Sequence, residues 1–238
     1  MKKKLLIISS VIIIIILGVG YYLFTNLDSI AKSIIESVGT KASGTKVTVG
    51  SVKLAITEGK ATIYNLRFAN PKGFSDNSMI DCGEITAQVD YKTGAISKIH
   101  IGSPHFLFEQ KGINNNFAIL QKSSKKQADE KPVEEAKPEA KSKDKTPPKV
   151  YQIDSFSIDD ARVDFTSLDT KDSGEVTVSK IRFSKLKGTP EQIMEQVITQ
   201  LTTQIIYEVS KKIAVKQLEG SIKGPAGKAI GNALKNLF

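Results

Sequence analysis

Tryptophan is absent from this chain, cysteine occurs once and histidine twice. With Cys82 alone, no intrachain disulfide can form, so the fold must rest on apolar burial and hydrogen bonding. The simplest place for Cys82 is as a small buried strand residue. One cysteine and two histidines without a carboxylate cluster make no zinc set, so no metal is expected. His100 and His105 are an odd number of residues apart, which on one unbroken strand would put them on opposite faces. The Gly102-Ser103-Pro104 turn between them leaves that geometry open. Asp154, Asp159 and Asp160 lack the spacing of a calcium loop. Gly102, Gly112, Gly188 and Gly220 stand singly, so there is no glycine-rich phosphate cradle. No serine is singled out by a neighbouring base. These absences remove the recognisable catalytic constellations, and the expectation is a non-enzymatic protein without a cofactor.

Charge, too, is missing over one long stretch. From Leu5 to Phe24 no residue is ionisable as acid or base near neutrality. At about 1.5 Å per residue this run spans roughly 30 Å, the thickness of a bilayer core. Leu5, Ile12 and Ile16 lie within it, and Tyr21, Tyr22 and Phe24 form an aromatic belt at its end. A cleaved signal peptide is the rival reading, but bulky residues after Gly18 and Gly20 fit an interface better than a small-x-small cleavage site. Lys2, Lys3 and Lys4 precede the run, so the positive-inside bias puts the amino terminus in the cytoplasm and the bulk of the chain outside. The net charge of +9 is carried by dispersed lysines rather than a stripe interleaved with aromatics. Anionic lipid headgroups therefore fit better as partners than nucleic acid, while ordinary solubility accounts for most of these charges.

What the chain does contain is repetition. Residues 59–73 (GKATIYNLRFANPKG) align without gaps on 174–188 (GEVTVSKIRFSKLKG), with Gly59/Gly174, Arg67/Arg182, Phe68/Phe183 and Gly73/Gly188 identical. Residues 96–108 align on 153–165 with Ile96/Ile153, Ile101/Ile158 and Phe108/Phe165 in register. Short alternating segments used twice indicate a repeated β unit.

Along the chain, Asn26 or Asp28 can cap a helix with Ile30, Ile34, Ile35 and Val38 on one side and a stop at Gly39. Strands are predicted over 52–56, 60–68, 84–91 and around 99–101. Tyr64, Leu66 and Phe68 are expected on one face against Ile63, Asn65 and Arg67; Ile85, Ala87, Val89 and Tyr91 alternate in the same way. Residues 121–149 are dominated by Lys, Glu, Ala and Pro, the composition of a disordered tether. Strands resume at 150–159, 162–166 and 175–185. Thr189-Pro190-Glu191 is a helix start, followed by an apolar stripe of Ile193, Val197, Leu201, Ile205 and Val209 that reaches about Leu218. A short last helix is expected near 226–237.

The order charged start, single span, helix, GTKVTVGSVKLAITEGKATIYNLRFANPKGF, IGSPHFLFE and NNNFAIL resembles the AsmA-like family of bacterial envelope proteins, its short members above all. The likeness rests on Asn70-Pro71-Lys72-Gly73-Phe74, on Pro104, Phe108 and Glu109, and on Asn115, Asn116 and Leu120. It covers residues 1–120 well and 150–218 more loosely. It implies an α+β fold: an N-terminal transmembrane helix, then a mainly antiparallel, twisted β-sheet of repeated units, then a long C-terminal amphipathic helix. The expected organisation is an anchor (1–25), a helix with a first β unit (26–120), the tether (121–149), a second β unit (150–188) and the C-terminal helices (189–238). The resemblance further implies a single-pass protein of the bacterial inner membrane, its bulk periplasmic, that handles phospholipid or assists outer-membrane assembly. Candidate lipid-facing residues are Tyr64, Leu66, Phe68, Ile85, Val89, Tyr91, Ile99, Ile101, Phe106 and Phe108. The family brings no catalytic residues. The other reading is a scaffolding subunit of an inner-membrane complex, with itself or other envelope proteins as partners.

Overall fold

The computed structural model describes residues 26–129 and 150–221, with side chains to residue 216 in the last helix. The expected anchor (1–25), most of the tether (130–149) and the terminal helix near 226–237 lie outside these residues. Among the described residues no helix is long and apolar enough to cross a membrane.

The fold is α+β. Helix α1 occupies 26–43. The strands are β1 (Val47–Thr48), β2 (Ser51–Ala55), β3 (Lys60–Ala69), β4 (Ser78–Asp90), β5 (Ala95–Gly102), β6 (His105–Lys111), β7 (Asn114–Asn115), β8 (Tyr151–Ser167) and β9 (Ser173–Gly188). Helix α2 is Asn116–Asp129 and α3 is Pro190–Ser221. All the strands join one sheet, so the two β units share one core.

Most pairings are antiparallel, but β5 and β6 both run parallel to β8, which makes the sheet mixed. The parallel register is that of the second repeat: Ile96 faces Ile153, Ile101 faces Ile158 and Phe108 faces Phe165. The two copies thus lie side by side, in phase, and their like residues make like contacts. One consequence is a row of five isoleucines, Ile63, Ile85, Ile101, Ile158 and Ile181, crossing β3, β4, β5, β8 and β9. The first repeat has no such relation. Its copies are β3 and β9, on opposite flanks, and its shared glycines serve different ends. Gly59 has φ +62 and ends a 3-10 turn. Gly174 makes room for Phe165, whose ring lies where a Cβ would come within 2.4 Å.

The alternation predicted from sequence breaks at single residues with positive φ. Asn65 (φ 54) shifts the phase of β3, so Leu66 and Phe68 face the core together with Ile63, while Tyr64 does not. Asp160 (φ 52) does the same within β8, which is one strand rather than the expected two. Ser103 (φ 46), its counterpart in the repeat, divides β5 from β6. Each such residue adds local twist and re-aims the side chains that come after it in the strand.

Three helix expectations need correction. Helix α1 passes Gly39, which is held against Val47, and stops at Gly44 (φ +71), whose N–H donates to Thr40 O at 3.0 Å. The segment expected to be disordered from 121 begins as α2. Asn115 Oδ1 accepts from Ala118 N at 2.8 Å as the N-cap, and Phe117 and Leu120 are buried, so packing overrides composition. Helix α3 starts where expected, with Thr189 and Gln192 capping one another, but continues through Gly220. Its Ile198, Leu201, Ile205 and Val209 are buried against the sheet, each contributing about 1.5–3 kcal/mol.

Candidate functional site

The ten candidate lining residues divide into two sets. Phe68, Ile85, Ile101, Phe106 and Phe108 are buried in the core cluster. Helix α3 lies on β8 and β9, and α2 on β6 and β7. These five do not line an accessible surface. Leu66 and Ile99 pack against the same cluster but stay half-buried, together with Ile63 and Ile96, which the strand alternation does not single out. Tyr64 and Val89 are half-buried outside the cluster. Tyr91 is 63% exposed at the β4–β5 turn, its hydroxyl donating to Ile56 O. The apolar face is therefore mixed: on β3, β4 and β5 the buried Phe68, Ile85 and Ile101 stand beside the half-buried Ile63, Leu66, Ile96 and Ile99, and β8 and β9 carry the half-buried Phe156 and Val176.

The three motifs behind the family resemblance meet in one buried polar cluster. Glu109 (2% exposed) accepts from Asn70 Nδ2 at 3.1 Å and Ser75 N at 2.9 Å. Asn116 (0%) donates to Asn70 Oδ1 at 2.8 Å and Leu107 O at 2.7 Å, and accepts from Glu109 N at 3.0 Å. The cluster bolts the 70–75 turn and the head of α2 onto β6. Sequence alone marks these residues as a motif but gives no sign that they touch.

The opposite face is polar and carries both histidines, brought to one side by the phase break at Ser103. His105 Nε2 meets Asp164 Oδ2 at 2.8 Å, and Arg162 approaches the same oxygen at 3.5 Å. His100 Nδ1 lies 3.1 Å from Ser157 Oγ and 3.5 Å from Asp159 Oδ2. A serine–histidine–aspartate relay needs the two partners on different ring nitrogens, and here both sit at Nδ1. Ser157 is also buried, its hydroxyl 3.4 Å from Ile99 O. Among the described residues no three His, Cys, Asp or Glu side chains are grouped to hold a metal ion. Cys82 is buried in the core, and burial, helped by the neighbouring Asp81, pushes its thiol up to about 12.

Helix α1 presents its polar side to the sheet. Asp28, Lys32, Glu36 and Thr40, one turn apart, bond Leu54 N, Gly50 O, Val49 N and Val47 N at 2.8–3.2 Å. This shields the edge formed by β1 and β2. It also turns Ile30 (38% exposed) and Ile34 (56%) outward.

No family model and no curated protein matches this chain.

Proposed function

We propose that this chain is a non-enzymatic, membrane-anchored protein of the bacterial envelope, its bulk on the periplasmic side of the inner membrane. It handles phospholipid, or assists outer-membrane assembly, on the half-open part of its apolar face. One observation carries this reading: Ile63, Leu66, Ile96 and Ile99 are continuous with the core yet only half-buried, while α2 and α3 pack on β6, β7, β8 and β9. Such a ledge lets an acyl chain replace water over apolar side chains at no cost in unfolding. The His100 and Cys82 geometry supports the non-catalytic side of the reading.

The test is a photoreactive phenylalanine derivative placed at Ile99, Leu66 or Lys98 of the full-length chain in bacterial membranes with radiolabelled phospholipid. Irradiation should give lipid adducts at Ile99 and Leu66 and none at Lys98, which points to the polar face. Equal labelling at all three positions, or none, would sink the proposal.

The outward stripe of α1 favours a second reading, a scaffold that assembles with another copy of itself. Apolar side chains beside the small Ser29, Ser33 and Ser37 allow two helices to approach closely. An Ile34→Cys variant provides the check, because the buried, protonated Cys82 should stay silent. Mild oxidation in the membrane should give a disulfide-linked dimer; a chain that stays monomeric on the gel excludes self-assembly through α1.

A further inference from the structure

Residues 174–188 repeat 59–73, yet the two copies end in unlike surroundings. In the first copy, β3 lies between β4 on one side and β1 and β2 on the other. In the second, β9 pairs with β8, and among the described residues no strand lies along its other side. One identical pair of residues records the difference. Thr62 sits between Lys53 of β2 and Thr86 of β4 and is 7% exposed. Thr177, its counterpart, is paired with Arg162 of β8 alone and is exposed. The two flanks of the sheet differ in the same way. Side chains of α1 bond the backbone of the β1–β2 flank, whereas the outer edge of β9 carries the row of N–H and C=O groups that accepts a further strand.

We propose that β9 pairs antiparallel with β9 of a second copy of this chain, over residues 175–184. The register follows from the phase break in the middle of the strand. Ser179 and Lys180 are both exposed, between the buried Val178 and Ile181. Strand β8 matches this break by placing Asp159 opposite Lys180, so that Ile158 faces Ile181 and Ala161 faces Val178. A second β9 matches it in the same way when Ser179 of each copy faces Lys180 of the other. Val178 then faces Ile181, Val176 faces Phe183 and Thr177 faces Arg182, so buried side chains meet buried ones and exposed meet exposed. The charges fit as well, because Glu175 comes diagonal to Arg182 of the second copy. The paired stretch ends before Lys185, whose φ of 58 interrupts the edge. Such a pairing is isologous and closes on itself, since α1 shields the opposite flank of each copy. It uses no residue of α1 and none of the half-buried Ile63, Leu66, Ile96 and Ile99, so it stands whether or not those surfaces act.

The experiment is disulfide trapping with the full chain in bacterial membranes, where the buried Cys82 stays silent. In the proposed register the two Ser179 Cα atoms are about 6 Å apart, from strand spacing and rise, which is within disulfide reach. Mild oxidation of Ser179→Cys should therefore link most of the chain into dimers. Thr177 and Arg182 test the register itself. Each lies about 17 Å from its own copy across the twofold, so Thr177→Cys and Arg182→Cys should stay monomeric when produced alone. Produced together with different tags, they should link to one another, being directly opposite. All three side chains are exposed, so the variants keep the fold. A Ser179→Cys chain that stays monomeric, or that links to another protein, gives the edge to a different occupant and overturns the proposal. Thr177→Cys linking to itself as readily as to Arg182→Cys marks random collision and overturns it too. Linking through Ile34→Cys with none through Ser179→Cys sinks this edge while leaving self-assembly through α1 standing.

Discussion

Asn116→Ala is expected to destabilise the fold by about 3 kcal/mol or more, a large share of the stability of a chain this size. The side chain is fully buried and holds four backbone or side-chain groups: Glu109 N, Phe117 N, Asn70 Oδ1 and Leu107 O. A buried group that loses its only partner costs about 1–3 kcal/mol, and alanine brings no replacement. The loss also spreads. Asn70 positions the turn that supplies Ser75 N to Glu109, so a buried carboxylate is left with a looser set of donors. Urea unfolding of the full chain, followed by far-UV circular dichroism, should show a lower midpoint at an unchanged slope. A loss below about 1 kcal/mol would mean that the cluster is bridged by water and does not bolt α2 to the sheet. The expected size explains why Asn70, Glu109 and Asn116 read as a motif: they hold three chain segments together and need not touch any ligand.

Much of the architecture can be read from the residues because local signals and tertiary packing agree. Thr189-Pro190 and the stripe from Ile193 to Val209 specify α3. The pairs Ile96/Ile153 and Phe108/Phe165 mark the repeat in the sequence, but neither their parallel pairing nor that the copies are neighbours follows from it. Sequence periodicity fails where one backbone angle carries the information. Asn65 looks like any polar strand residue, yet its φ of +54 reverses which side chains of β3 face inward. That is why strict alternation puts Tyr64 on the apolar face and leaves Ile63 off it. Helix α2 is hidden for a different reason: its Lys- and Gln-rich body resembles the tether, and only Phe117, Leu120 and the Asn115 cap set it apart. The isoleucines of α1 do not say which side of the helix meets the sheet: its polar side chains bond the sheet edge, and Ile30 and Ile34 stay exposed. The half-open ledge is not legible either. Which part of a dry face a helix covers depends on where α2 and α3 cross it, and no residue of the sheet encodes that.

The division of the apolar face can itself be measured, by setting Phe117→Ala against Ile99→Ala. Phe117 is fully buried, edge-on to Phe106 and stacked on Phe108 with ring centroids 6.2 Å apart in both pairs. Its truncation should cost about 3–5 kcal/mol, the transfer of the ring plus the cavity left among rigid neighbours. Ile99 is only half-buried, so Ile99→Ala in lipid-free protein should cost about 1 kcal/mol, well under the roughly 2–5 kcal/mol typical of a fully enclosed isoleucine. Phospholipid should then widen the gap for Ile99 alone, because a ligand that binds the folded wild type stabilises it and the truncated ledge gains less. For Phe117 the cost should not change on adding lipid, since no acyl chain reaches a closed core. An Ile99→Ala cost near ~3 kcal/mol without lipid would show the ledge already covered in the intact chain and remove the surface on which lipid handling depends. Two denaturation series thus bear on function, because an open apolar surface and a closed one differ in how much stability each methylene contributes.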